Sequence, residues 1–449
     1  MKVLIIGNGI AGITAAREVR KNSDCQITVV SSETKHFFSR TALMYIYMGH
    51  MKYEHTKPYE DSFWEKNGIE LVFDHAISLD VEAKKVKLRS GTELFYDKVL
   101  LATGSRSSRF NWPGQDLDGV QGLYSYQDLE LLEKNTHPMY APSSRRRVGK
   151  AVIVGGGLIG VELAEMLHSR GIQVNILNRE DRYWGSVLPL EESDLILNHL
   201  QQHGIEVKLE TELKEIHAGV NGRVGEVLTT RGENIECQFV GLTAGVTPNI
   251  DFIRESPIET DRGILVNRRL ETNVPDVYAA GDCAQISQAL PGRKSIEQVW
   301  YTGRMMGEVA GRNMAGQDVE YSPGPWFNSA KFFDLEYQTY GSVGKDLAPD
   351  ELSFFWKDNS GRKCIRIVSD RETGRFKGIN SIGIRLRHKN FDHWIRKAAS
   401  TDHILENFRQ AVFDPEFFKD EVPGIVRSYN AETGKGIKAR TFSWKNLLA

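Results

Sequence analysis

No two of the four cysteines (Cys25, Cys237, Cys283, Cys364) stand in a CxxC spacing, which argues against a local zinc site, an iron–sulfur cradle or a disulfide framework. Each is read as an ordinary thiol. An excess of one charge is missing too: 57 Lys and Arg oppose 59 Asp and Glu, for a formal net charge of -2. No global field draws such a chain to nucleic acid or to a membrane surface. No apolar run approaches the ~18 residues of a membrane span, and the opening run KVLII is too short, and too soon broken by glycine, for a signal peptide. The expectation is a cytoplasmic protein with neither nucleic-acid nor membrane partners. What is present is 449 residues, 40% hydrophobic, enough for two or three domains that bury roughly three quarters of their unfolded surface.

The most informative feature is a glycine pattern that occurs twice. Residues 2–12 read KVLIIGNGIAG, followed by a helical stretch to about Lys21 and a second apolar run, QITVV. This is strand, glycine turn, helix, strand, the context a dinucleotide fingerprint requires. Gly7 is expected to make the tight turn, Gly9 to admit a pyrophosphate close to the backbone, and Gly12 to let helix and strand pack closely. The positive end of the helix dipole then faces the phosphates. An acidic residue after the second strand normally bonds a ribose hydroxyl, and Glu33 is the candidate. Residues 151–177 repeat the pattern with Gly155, Gly157 and Gly160. After that second strand come Asn178 and Arg179, which neither repel nor exclude a 2′-phosphate, so NADH and NADPH both stay open. Two dinucleotide sites on one chain point to hydride transfer between them.

With these motifs the chain resembles the two-dinucleotide flavoprotein reductases of the pyridine nucleotide-disulfide oxidoreductase superfamily. Three further stretches carry the resemblance: VLLATGSRS at 99–107, GLTAGVTPN at 241–249 and NVPDVYAAGDCA at 273–284. The resemblance implies an α/β fold with two Rossmann-like domains and a C-terminal α+β domain. A discontinuous FAD domain would comprise 1–117 and 246–320, an inserted NAD(P)H domain 118–245, and an interface-like domain with a helical extension 321–449. It also implies that Ala102, Thr103 and Gly104 line the crossing out of the FAD domain. Gly281 and Asp282 would then hold the ribityl chain of FAD. The stretch HPMYAPSSRRR at 137–147 is expected to be an exposed loop.

The branch follows from another absence. The disulfide reductases of the superfamily carry redox cysteines in the region corresponding to 36–50, which here reads HFFSRTALMYIYMGH. Its FSRTAL instead resembles the aromatic-x-Arg-x-x-Leu pattern of single-flavin reductases such as rubredoxin and ferredoxin reductases. That resemblance places Arg40 beside FAD and makes Glu162 the carboxylate at the hydride-transfer site. The lysine that pairs with this carboxylate in the ferredoxin-reductase members is Tyr45 here. The implied activity is hydride transfer from NADH or NADPH to FAD, then electron delivery to a small ferredoxin- or rubredoxin-type protein. An NAD(P)H oxidase or quinone reductase, and an NADH-responsive scaffold similar to apoptosis-inducing factor, are the alternatives.

Further signals concern the second half of the chain. SIEQ at 295–298 is a capping-box pattern, so a helix is expected to begin near Ser295. Residues 325–341 resemble the first strands of the superfamily's small interface domain, and the short runs ELSFFW, KCIRIV and GRFKGINSIG between 351 and 383 predict an antiparallel sheet. Beyond Arg385 the pattern turns helical, with a basic group (Arg385, Arg387, His388, Lys389, Arg396, Lys397) suited to an acidic electron carrier. Flavin cover, homodimerisation and partner docking are all open for this extension.

Overall fold

The run KVLII forms the strand Lys2–Ile6, buried after its first residue, and the chain turns directly into the helix Ile10–Asn22. A strand that is apolar on both faces suits the interior of a parallel sheet covered on both sides. In the computed structural model, which describes residues 1–137, 148–219, 222–413 and 419–440, that sheet has five strands. Their order is Val277–Ala279, Lys98–Leu101, Lys2–Ile6, Gln26–Ser31 and Ile69–Phe73, and every pairing is parallel. The strand at 277–279 thus returns late in the chain to join a sheet begun at its start. All but the first residue of the expected loop at 137–147 lies outside the described residues.

Contacts divide the chain into two compact units, Met1–Asn175 with Glu212–Pro323, and Ile176–Thr211 with Gly324–Ala449. The first unit also contains the strand Lys150–Val154, which pairs in parallel with Phe239–Leu242, itself paired with Val120–Gln121. Helix Leu158–His168 follows the first of these strands. The two stretches expected as crossings meet each other: Ser105–Ser107 runs antiparallel to Val246–Pro248.

Helix Ile10–Asn22 packs against helix Trp300–Met314. Gly303, Gly307 and Gly311 recur every fourth residue along the latter, and residues four apart share one helix face. A Cβ on Gly307 would collide with the Ala11 carbonyl oxygen, and one on Gly311 would lie 2.6 Å from that of Ala15. The small residues let the two backbones approach. This helix starts at Trp300, with Val299 as its N-cap, so the helix start expected at Ser295 is corrected. Of the would-be capping pair Ser295 and Gln298, the second is committed elsewhere, and so is the neighbouring Glu297. Glu297 forms a buried pair with Arg293, and the Gln298 amide donates to Ser105 Oγ at 2.8 Å.

The second unit holds a five-stranded antiparallel sheet in the order Phe327–Phe332, Leu335–Gly341, Phe376–Ile382, Cys364–Asp370, Glu351–Lys357. Helices His388–Arg396, Thr401–Ala411 and Val422–Thr433 contribute Phe391, Trp394, Phe408 and Tyr429 to an aromatic core over it. Helix Leu190–Gln202 belongs to the same unit. Its Glu192 is fully buried and binds the Arg366 guanidinium at 2.7 Å. Together the elements make an α/β fold with two Rossmann-like portions and a C-terminal α+β portion. Among the described residues no helix is long and apolar enough to cross a membrane.

Candidate functional site

The two glycine turns have the same stereochemistry. Gly7 and Gly155 take φ of +111° and +119°, a region that favours glycine. A Cβ on Gly7 would collide with the Ala102 carbonyl oxygen, and one on Gly155 would lie 2.7 Å from that of Thr243. The third glycines are equally confined, since a Cβ on Gly12 would strike the Gly7 carbonyl and one on Gly160 that of Gly155. The middle glycines differ: an added Cβ on Gly9 or Gly157 would meet nothing within 4 Å. Each turn therefore leaves an open recess over a helix N-terminus, where backbone N–H groups are unsatisfied within the helix. The pyrophosphate of a dinucleotide fits such a recess.

Beside the first turn, charged and aromatic groups converge. Arg40 donates to both Glu33 carboxylate oxygens, at 2.7 and 2.5 Å, and to the Tyr124 carbonyl at 2.7 Å. Its guanidinium also lies 4.5 Å from the Tyr124 ring centroid. Burial works against the Arg40 charge, but the Glu33 carboxylate prevails and raises its pKa above the ordinary arginine value. Glu33 accepts a further bond from the Tyr126 N–H at 2.9 Å. The Tyr124 hydroxyl donates to Asp282 at 3.1 Å and accepts from the Ser105 N–H at 2.9 Å. Burial raises the Asp282 carboxyl, and the Tyr124 bond and Arg40 counter it in part. Glu33, Arg40 and Asp282 are thus joined through Tyr124. The supporting backbone is close by: Thr103 Oγ1 donates to the Asn249 carbonyl at 2.6 Å, the Gly104 carbonyl accepts from the Asn249 N–H, and Gly281 turns at φ +81°.

Beside the second turn, helix Leu158–His168 carries Glu162. The side chain is half-buried, and burial, with Glu165 adding to it, pushes its carboxyl up to about 8. The short helix Leu43–Tyr47 packs against the same helix. Arg170 secures this corner, stacking 3.4 Å from the Tyr47 ring centroid and bonding both Glu133 oxygens at 2.9 and 2.6 Å.

A family model described as pyridine nucleotide-disulphide oxidoreductase matches residues 1–307, the span that holds both cradles and Asp282. The chain belongs to that family. It is similar to an NADH-rubredoxin oxidoreductase of Clostridium acetobutylicum, 31% identical over 423 residues that cover 90% of this chain and 99% of that one. It is also similar to an NADH oxidase of Methanocaldococcus jannaschii, 30% identical over 355 residues, 75% of each chain. A ferredoxin reductase structure from Rhodopseudomonas palustris shares the fold, with a TM-score of 0.76 at 23% identity over 95% of this chain and 99% of that chain. This family member is an oxidoreductase whose cofactors are FAD and NAD(P)H.

Within the oxidoreductase, residues 36–50 contain no cysteine. All four cysteines are free, and Cys237, Cys283 and Cys364 are buried. Burial raises the thiol of each of those three, which keeps them protonated and poorly nucleophilic. Met44 and Tyr47 pack as core residues, and Tyr45 stacks on His50.

Asn178 lies in the second unit. Its amide donates to the carbonyls of Glu180 and Arg182, at 2.9 and 3.0 Å, so it shapes the loop after the strand, while Arg179 is exposed. Much of the basic group beyond residue 384 serves locally: Arg385 pairs with Glu336, Arg396 with Asp392, and Arg387 donates to the carbonyls of Val412 and Phe413. Sequence reasoning missed Tyr124 altogether. The available signal was the capping box begun by the next residue, Ser125, whose hydroxyl accepts from the Asp128 N–H while the Asp128 carboxylate accepts from the Ser125 N–H. It anchors helix Tyr126–Thr136 and fixes where Tyr124 stands.

Proposed function

We propose that this oxidoreductase is an NAD(P)H-dependent reductase of a small rubredoxin- or ferredoxin-type electron carrier. The doubled glycine cradle in a chain whose 36–50 segment holds no thiol carries this reading. When bound, FAD supplies the redox chemistry, accepting hydride from NAD(P)H and giving up electrons singly. The relatives named for rubredoxin and ferredoxin favour a protein acceptor over oxygen or a quinone, and nothing in the fold favours the scaffold alternative.

In this reading the FAD domain comprises 1–117 and 246–320, with Gly7, Gly9 and Gly12 at the pyrophosphate and Asp282 at the ribityl chain. The parallel pairing of Val277–Ala279 with Lys98–Leu101 supports its discontinuity. Residues 118–245 form the NAD(P)H domain, with Gly155, Gly157 and Gly160 at the second pyrophosphate, and 321–449 the C-terminal domain. Arg40 holds Glu33 and Tyr124 together along the edge of the FAD cradle. Glu162, protonated at neutral pH, presents a neutral hydrogen-bond donor beside the nicotinamide and avoids placing a bare carboxylate near the dinucleotide phosphates. Four free cysteines suit a reducing, cytoplasmic setting.

The test is turnover of the purified flavoprotein with rubredoxin, with a ferredoxin, with a quinone and with oxygen. A carrier protein should be reduced at ~1 s⁻¹ or faster, the lower end of typical enzyme turnover, and well ahead of oxygen and quinone. Oxygen or quinone consumption that outpaces every carrier protein would replace this function with the oxidase or quinone-reductase reading.

A further inference from the structure

Within the second unit, away from both glycine turns in sequence, three metal-ligating side chains meet. His199 and His203 lie one turn apart at the C-terminal end of helix Leu190–Gln202, and Asp334 sits in the two-residue turn between strands Phe327–Phe332 and Leu335–Gly341. One ligand atom from each lies within 4.8 Å of the others. We propose that these residues bind a divalent transition-metal ion of the zinc type through two imidazoles and one carboxylate, with water in the remaining position.

Three observations support the site. First, His199 is only 4% exposed. Its Nε2 stands 2.6 Å from Asp334 Oδ1, yet neither ring nitrogen makes a well-aligned hydrogen bond. Buried polar atoms left in that state call for a partner, and a metal ion accepts a lone pair without the directional demand of a hydrogen bond. Second, His203 Nδ1 lies 2.9 Å from the His199 carbonyl oxygen. A carbonyl only accepts, so Nδ1 carries the proton, and in the neutral ring Nε2 then presents its lone pair, the arrangement by which metal-binding histidines are commonly oriented. Third, Nε2 of that ring lies 4.0 Å from the same Asp334 oxygen that faces His199. Arg362 approaches the other carboxylate oxygen, at 3.5 Å, leaving Oδ1 to the imidazoles. The Phe333 ring, 4.6 Å from that of His203, walls the cluster, and Asp334, 57% exposed, leaves an entrance for water and ion.

Nitrogen and carboxylate ligands at this count match zinc sites that keep one position for water. The 2.6 Å His199–Asp334 approach is closer than two ligands of one ion stand, so binding would part them slightly. The ion would tie the helix end to the hairpin turn.

The test uses the full-length, FAD-loaded protein after chelator treatment. Zn²⁺ is titrated by calorimetry, and Co²⁺ serves as a visible-spectrum probe of tetrahedral nitrogen and oxygen ligation. One ion per chain is expected, weakened about tenfold or more in His203→Gln and in Asp334→Asn. Both altered residues are at least partly exposed, so the variants should keep their FAD. Absence of stoichiometric binding, or binding unchanged in both variants, would overturn the site and leave an ordinary histidine–aspartate contact.

Discussion

Burial raises the Glu162 carboxyl to about 8, so at pH 7 the side chain holds its proton. The folded chain binds this proton more tightly than the unfolded chain does. Stability therefore declines as pH rises from the ordinary carboxyl value of 4.5 to about 8. Across the same upper limit the side chain becomes an anion, and NAD(P)H-dependent flavin reduction should slow. Glu162→Gln keeps a neutral donor at every pH, and its reduction rate should lose the break near pH 8 while remaining close to the wild-type rate at pH 7. A break that persists in the variant would assign the titration to another group. At this scale the sequence singled out Glu33, Arg40 and Asp282 from their places beside motifs, and the fold joins them through Tyr124. The sequence was silent on Tyr124, His199 and Asp334, because their partners are far along the chain and only folding brings them together.

Among the elements, the glycine turns were the most legible, since each imposes a local backbone demand that no other residue meets. The same demand separates two substitutions in one turn. A Cβ on Gly12 would collide with the Gly7 carbonyl, whereas one on Gly9 would project into open space. Gly12→Ala should lower the melting temperature and abolish FAD retention together. Gly9→Ala should leave the apoprotein nearly as stable as the wild-type apoprotein and yet weaken FAD, because the methyl occupies the recess itself. Equal melting losses in the two would contradict the assignment of that recess. The element misread from sequence was the helix expected at Ser295. Its capping pattern is genuine as a string, but the Gln298–Ser105 bond takes one of the two side chains the box would need, and the neighbouring Glu297 is held by Arg293. Tertiary partners overrode a local signal. The Gly303, Gly307 and Gly311 series, by contrast, is visible in the sequence and explains the close helix pair.

Over the whole molecule, the α/β class and the late return of the chain to its first sheet were legible, because both follow from the order of the motifs. The antiparallel sheet at 327–382 was legible from its alternating runs. The expected basic surface beyond residue 384 was less so, since charge in a sequence does not disclose which cations already have partners, as Arg385, Arg387 and Arg396 do. The reading of two dinucleotides working across one chain rests on the paired cradles, and the absence of a thiol at 36–50 sends the electrons outward. The most direct measurement is anaerobic stopped-flow mixing of the FAD-loaded protein with NADH and, separately, with NADPH, following loss of the flavin's visible absorbance. Rapid bleaching by at least one nucleotide, lost in Gly157→Ala although FAD stays bound, is the expected result. Retained FAD that neither nucleotide bleaches in the wild type would contradict hydride transfer between the two sites.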